Sequence, residues 1–161
     1  MNKYMYWLLP ISWMGIIFFF SSQPYENQDI KPLLSNVSDL AFLEPYVRSI
    51  HFTYHHTVIS TEALGINGFV EFFIRKGAHF AAFFILMLLI TIAIRNTTSW
   101  KMRMRWMVSF LITAAYAISD ELHQGLTPNR TPYFGDVLID VLGALIACLV
   151  FIIRARGSKA T

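Results

Sequence analysis

The sequence predicts an all-α, polytopic membrane protein with four transmembrane helices and a helical extracytoplasmic segment between the first and second. Three observations predict it. The 161 residues are 55% hydrophobic and only 14% charged, whereas a soluble domain is nearer about 25% charged. Four apolar runs, at 4–20, 78–94, 106–118 and 137–153, contain no Lys or Arg. The cations between those runs are distributed unequally. The same apolar content excludes disorder. The lone cysteine, Cys148, excludes an internal disulfide framework and a multi-thiolate metal site.

Each element follows from the chain in order. The first span, 4–23, ends in Ser21-Ser22-Gln23 rather than a small-x-small cleavage pattern, and reads as a retained helix. The segment 24–74 has its own periodicity. Leu33, Leu34, Val37, Leu40 and Ala41 recur at helical spacing, with Asp39 and Glu44 off that face. Thr61-Glu62-Ala63-Leu64 reads as a helix start, and Asn67-Gly68 as a break before 69–76. A connection this long that carries helices points to a functional lid or to an amphipathic segment on the bilayer surface. His51 and His55, a helical turn apart, together with His56 offer nitrogen ligands for zinc, although exposed loop histidines give the same pattern. The remaining spans are 76–94, 104–122 and 136–153, with Pro128, Asn129 and Pro132 turning the chain before the last. Phe18–Phe20 and Phe83-Phe84 read as lipid-facing, and Cys148 as a small apolar residue within the fourth span. The whole of 1–161 is expected to form a single domain.

Orientation follows from the cations. Lys3, Arg95, Lys101, Arg103, Arg105, Arg154, Arg156 and Lys159 share one side, which the positive-inside rule makes cytoplasmic. Lys31, Arg48, Arg75, Lys76 and Arg130 belong to the other half, with all ten acidic residues. Both termini are therefore expected in the cytoplasm. The basic residues form no stripe on a soluble face, so nucleic acid is not an expected partner.

The polar residues fall inside the spans. Crossing about 30 Å of hydrocarbon takes roughly 20 helical residues. Counting that length outward from Trp106 takes in Asp120, Glu121, His123 and Gln124. Counting back from Ile153 takes in Asp136 and Asp140, and from Ile94, Lys76 and His79. Counted from Tyr4, the first helix ends with Ser21, Ser22 and Gln23. Four counts thus place four polar clusters at one depth. Lys76 and His79 are three apart, Asp120 is four from Gln124, and Asp136 is four from Asp140, so each set shares a helix face. Gly143 and Ala147 continue the last face with small residues, as Gly77 and Ala81 do on the second helix. A charge at mid-membrane costs about 2.5–3.5 kcal/mol on insertion scales. Such groups are expected to pair around an inward-facing wet pocket; ion pairs that merely fix packing are the plainer explanation.

Four pieces resemble a known family: "SSQP" after the first helix, "KGAHF" opening the second, "SDELHQGLTPNR" closing the third and "DVLIDVLGA" opening the fourth. They are similar to the VanZ-like membrane proteins, over residues 21 to about 147. The resemblance implies a small multi-pass protein of the bacterial cell membrane, linked to resistance against the glycopeptide teicoplanin. Carried over by motif, its polar positions are Lys76, His79, Asp120, Glu121, Gln124, Arg130, Asp136 and Asp140. Two departures stand out. Ala81, Ala82 and Phe83 replace the acidic residue and tyrosine that the family often has, and Asp140 stands where the family often has Asn.

Two functions fit these residues. In the first, a binding protein recognises a phosphorylated lipid or cell-wall precursor at the outer leaflet, through Lys76, Arg130, Gln124, Ser22, Asp136 and Asp140. In the alternative, a membrane-embedded enzyme acts on such a headgroup. Glu121, His79 and His123 would then serve as acid or base, and Asp120, with Asp136 and Asp140, would hold a divalent cation. Proton-coupled transport is a third class, and four helices would need an oligomer for it.

Overall fold

The computed structural model describes residues 3–37, 39–128 and 130–157. Ser38, Asn129 and the basic tail residue Lys159 lie outside the described residues. The chain divides into two compact units, one formed by Met1–Gln23 with His79–Thr161 and the other by Pro24–Ala78.

The first unit is helical. A 3-10 turn at Lys3–Trp7 leads into α1 (Leu8–Ser21). Helix α4 (Thr61–Thr97) contributes its portion from His79 onward. It is followed by α5 (Met102–Gln124) and α6 (Phe134–Gly157). Phe83, Leu86, Ile90 and Ile94 recur every three or four positions and pack with Ile17, Ala117 and Val137. Met87, Ala144 and Ala147 form a second buried cluster, flanked by Cys148. Phe83 is thus core, not lipid-facing: it lies on the same helix face as Leu86 and Ile90. Phe18, Phe19 and Phe20 do point outward.

Polar anchors hold these helices together. Trp13 Nε1 donates to the Ala82 carbonyl at 2.9 Å, and the Tyr116 hydroxyl donates to the Met14 carbonyl at 2.7 Å. Ser109 and Thr113 are buried, and their hydroxyls donate back to the Arg105 and Ser109 carbonyls at 2.8 Å. A helix interior thereby accommodates hydroxyls on its own backbone, and the Thr113 hydroxyl also lies 3.9 Å from the Met87 sulfur on α4. Gly143 is also buried: a Cβ there would overlap the Phe80 backbone carbonyl. The small-residue approach expected at Gly143 is present. At Gly77 a Cβ would meet open space among the described residues, so that glycine serves no close contact.

The second unit holds a short helix, α2 (Lys31–Val37), a 3-10 turn at Leu40–Leu43 and α3 (Glu44–Val47). A hairpin of β1 (Phe52–Tyr54) and β2 (Thr57–Ile59) follows, with Tyr54 paired to Thr57. His55 and His56 make its two-residue loop, with φ of 44° and 65°. Both positive φ values match the twist that favours tight hairpins. Of the pair read as a helical turn apart, His55 is therefore a turn residue and His51 lies just before β1. Phe52 and Tyr54 meet Phe72 edge-on. Ser60 caps the start of α4 by accepting from the Ala63 amide at 3.1 Å. The helical path breaks at Gly65, with φ 67° and ψ 166°, rather than at Asn67-Gly68. Only glycine takes that conformation readily, whereas the Asn67 side chain turns outward to donate to Ser35 Oγ at 2.8 Å.

Three helical stretches are long and apolar enough to cross a membrane: Lys3–Ser21, Thr61–Thr97 and Phe134–Arg154. The chain is thus a multi-pass membrane protein, predominantly helical, as expected. The expected third span, α5, has 23 residues, enough in length. Arg103, Arg105, Asp120 and Glu121 lie within it, and its composition falls short. The structure therefore gives three candidate spans where the sequence count gives four.

Candidate functional site

The polar seam of the first unit begins on α5. Its buried stripe runs Ser109, Thr113, Ala117, Asp120, Glu121 and Gln124, so the apolar-to-polar change occurs along one face. Asp120 is buried, and its Oδ2 accepts from Ser21 Oγ at 2.8 Å and from Gln124 Nε2 at 2.9 Å. The Gln124 Oε1 in turn accepts from Arg130 Nη1 at 3.0 Å, and the same nitrogen reaches the Ser21 carbonyl at 3.4 Å. A chain of hydrogen bonds therefore runs Arg130 to Gln124 to Asp120, closed by the end of α1.

Arg130 is carried to this place by the turn after α5. The Gly125, Leu126 and Thr127 amides donate to the Glu121, His123 and Gln124 carbonyls, and the Arg130 amide donates to Thr127. Glu121 fixes the far end of that turn. Its Oε1 accepts from the Tyr133 amide at 2.7 Å, just before α6 begins. The other Glu121 oxygen, Oε2, is buried without a hydrogen bond.

A second group adjoins Asp120. His79 on α4 and Asp140 on α6 approach to 3.4 Å, Nδ1 to Oδ1. With Asp120 they present three ligand atoms, one from each residue, all within 4.8 Å of one another. Asp140 has no measurable exposure, while the His79 side chain is 31% exposed. Four helices thus contribute to one polar seam: α1 through Ser21, α4 through His79, α5 through Asp120 and Gln124, and α6 through Asp140.

The remaining expected residues are placed as follows. Ser22 donates to the Phe19 carbonyl of its own helix at 2.8 Å, and Ser21, one position earlier, is the serine that reaches Asp120. Ser21 extends the buried stripe of Pro10 and Ile17; that spacing was the signal for it. His123 stacks on Phe18, with ring centroids 4.2 Å apart. Asp136 is half-buried in the first turn of α6. Among the described residues, Asp120, Asp140 and His79 are close enough to share an ion; the sequence grouped Asp136 with the two aspartates instead. Lys76 belongs to the second unit, where its ammonium lies 4.8 Å from the Tyr54 ring centroid and 5.7 Å from that of Phe72.

The motifs carrying this seam fall within the region that a family model, VanZ/LLP1, matches, residues 6–155. The chain belongs to the VanZ/LLP1 family. The match takes in α1, α4 and α5 whole and α6 to within two residues of its end. A search of the curated proteins and of the solved structures found no match. The arrangement of this family member is chemically specific. A guanidinium is oriented by an amide, the amide by a buried carboxylate, and the carboxylate by a serine from another helix.

Proposed function

We propose that this VanZ/LLP1 protein recognises the anionic headgroup of a phosphorylated lipid or cell-wall precursor at the outer leaflet of the bacterial cell membrane. In this reading both termini are cytoplasmic and α5 forms the fourth crossing. The charges of its outer half are accommodated by the polar seam rather than by lipid. Recognition of this kind accounts for a link to teicoplanin resistance by changing how such precursors are presented.

The observation that carries the reading is the orientation of Arg130. Its guanidinium is held by Gln124 Oε1 and the Ser21 carbonyl at the end of two helices. A planar fork held in this way suits the paired oxygens of a phosphate better than an ammonium would. Recognition also asks less of the seam than catalysis, since it needs no side chain to act as nucleophile or base.

The test uses purified protein in nanodiscs with short-chain phosphatidic acid, and phosphatidylcholine as control. Preferential retention of the phosphomonoester lipid is expected. Arg130→Ala is expected to weaken it by roughly ten-fold or more, the scale of a lost charged hydrogen bond. Arg130→Lys should fall between the two. Equal retention of both lipids, or unchanged affinity in Arg130→Ala, would overturn the proposal. Lys76→Ala in the same assay tests its assignment to the headgroup, and the intact mass of recovered lipid separates recognition from enzymatic turnover.

A further inference from the structure

We infer that His79, Asp120 and Asp140 form a binding site for a divalent transition-metal ion, zinc or manganese. The inference stands apart from the headgroup reading, because it rests on different atoms and is measured without lipid.

Three independent features point to a cation. The first is geometry. One ligand atom from each residue lies within 4.8 Å of the others, and ligands about 2.0–2.2 Å from a common ion lie roughly 3–4 Å apart. Small side-chain rotations close that difference. The second is the state of the carboxylates. Asp120 Oδ1 and Asp140 Oδ2 are buried without a hydrogen bond, and Asp140 Oδ1 has only the His79 Nδ1 contact at 3.4 Å among those described, in side chains of which Asp120 is 3% exposed and Asp140 0%. A buried carboxylate oxygen without a donor is costly, and a cation removes that cost for several oxygens at once.

The third feature is the support behind Asp120. Ser21 and Gln124 both donate to Oδ2, so the carboxylate is fixed with Oδ1 left over. Partners placed on the non-ligating oxygen are the usual second layer of a metal site, orienting the ligand before the ion arrives. Packing alone would be served equally well by sharing the donors between the two oxygens.

Ligand chemistry selects the ion. Two carboxylates offset a divalent charge. The imidazole disfavours magnesium and calcium, which prefer all-oxygen shells, and suits zinc, while the two carboxylates also suit manganese. Three protein ligands leave a coordination position open, as in sites where the metal holds water or an anionic ligand.

The experiment uses full-length protein in detergent, stripped with a chelator and titrated calorimetrically with zinc and separately with manganese. About one equivalent per chain is expected for at least one of the two. His79→Ala and Asp140→Asn, the second nearly isosteric, should each weaken binding by more than ten-fold. Ser21→Ala should weaken it less, because it removes only an orienting bond. Cobalt supplies a second readout: its visible absorption should appear in the parent protein and be lost in His79→Ala. Binding should survive replacement of His51, His55 and His56 together by Ala. Loss of binding in that triple variant would place the ion on the hairpin histidines and overturn the inference. So would full affinity in a folded Asp140→Asn protein, or no binding of either metal to the parent. Lipid selectivity intact alongside absent metal binding would refute this site and spare the headgroup reading. The converse result would do the reverse.

Discussion

Asp120 is satisfied on one oxygen only, and that asymmetry makes a residue-scale prediction. In Asp120→Asn the amide oxygen should take the Oδ2 position, keeping the Ser21 and Gln124 bonds. Its NH2 would then face the His79–Asp140 group and donate to a carboxylate. Thermal unfolding in detergent is expected to show a midpoint equal to or above that of the parent. Asp120→Leu instead strands both donors, and should destabilise by about 1–3 kcal/mol. Such residues were legible in the sequence as a level, and within one helix as a face shared by Asp120 and Gln124, but not as contacts between helices. The 20-residue count brings Ser21 and Ser22 to the same depth, yet neighbours on a helix point about 100° apart, and only the Pro10–Ile17–Ser21 stripe separates them. His79 and Asp136 show the same limit. Spacing along one helix pairs Asp136 with Asp140, whereas contact between helices pairs Asp140 with His79.

Element by element, close packing depends on where side chains are missing. Gly143→Ala puts a Cβ against the Phe80 carbonyl, which is helix backbone and cannot give way cheaply. A loss of about 1–3 kcal/mol is expected. Gly77→Ala meets open space in a helix and should gain roughly 0.5–1 kcal/mol from helix propensity. Parallel unfolding curves in the same detergent check both, and equal effects would refute the packing argument. The positions of α1, α5 and α6 were legible to within a few residues because apolar runs are long, whereas α4 starts at Thr61, well before the expected span at 76–94. The hairpin was not. Its loop is His55-His56 rather than the Asn-Gly or Asp-Gly that announces such turns, and each strand has only three residues. The break at Gly65 was misplaced for a related reason. Asn67-Gly68 has the stronger turn composition, but a side-chain bond to Ser35 absorbs the asparagine.

At the level of the whole molecule, the charge map gives a topology that labelling can check. In a Cys148→Ala background, Thr98→Cys should react with an impermeant thiol reagent only from the cytoplasmic side, and Ser49→Cys only from outside. Reaction from the opposite sides would reverse the orientation, and reaction of both from one side would remove the single crossing between them, α4. The membrane character was legible in composition, because hydrocarbon demands unbroken apolar length. The number of crossings was less so. α5 spends its apolar length between Arg105 and Asp120, and its C-terminal turns depend on neighbours that one helix's composition cannot reveal. Lipid also blurs inside and outside: Phe83 and Phe19 are equally oily, yet one is core and the other faces outward. This chain keeps Ser109, Thr113, Asp120, Glu121, Gln124 and Asp140 within and shows Ile11, Phe19, Leu111, Ile118 and Leu142 without. Engineers who treat it like a cytosolic enzyme, sprinkling lysines over its oily exterior to make it better behaved in water, would be removing its grip on the only solvent it is built for.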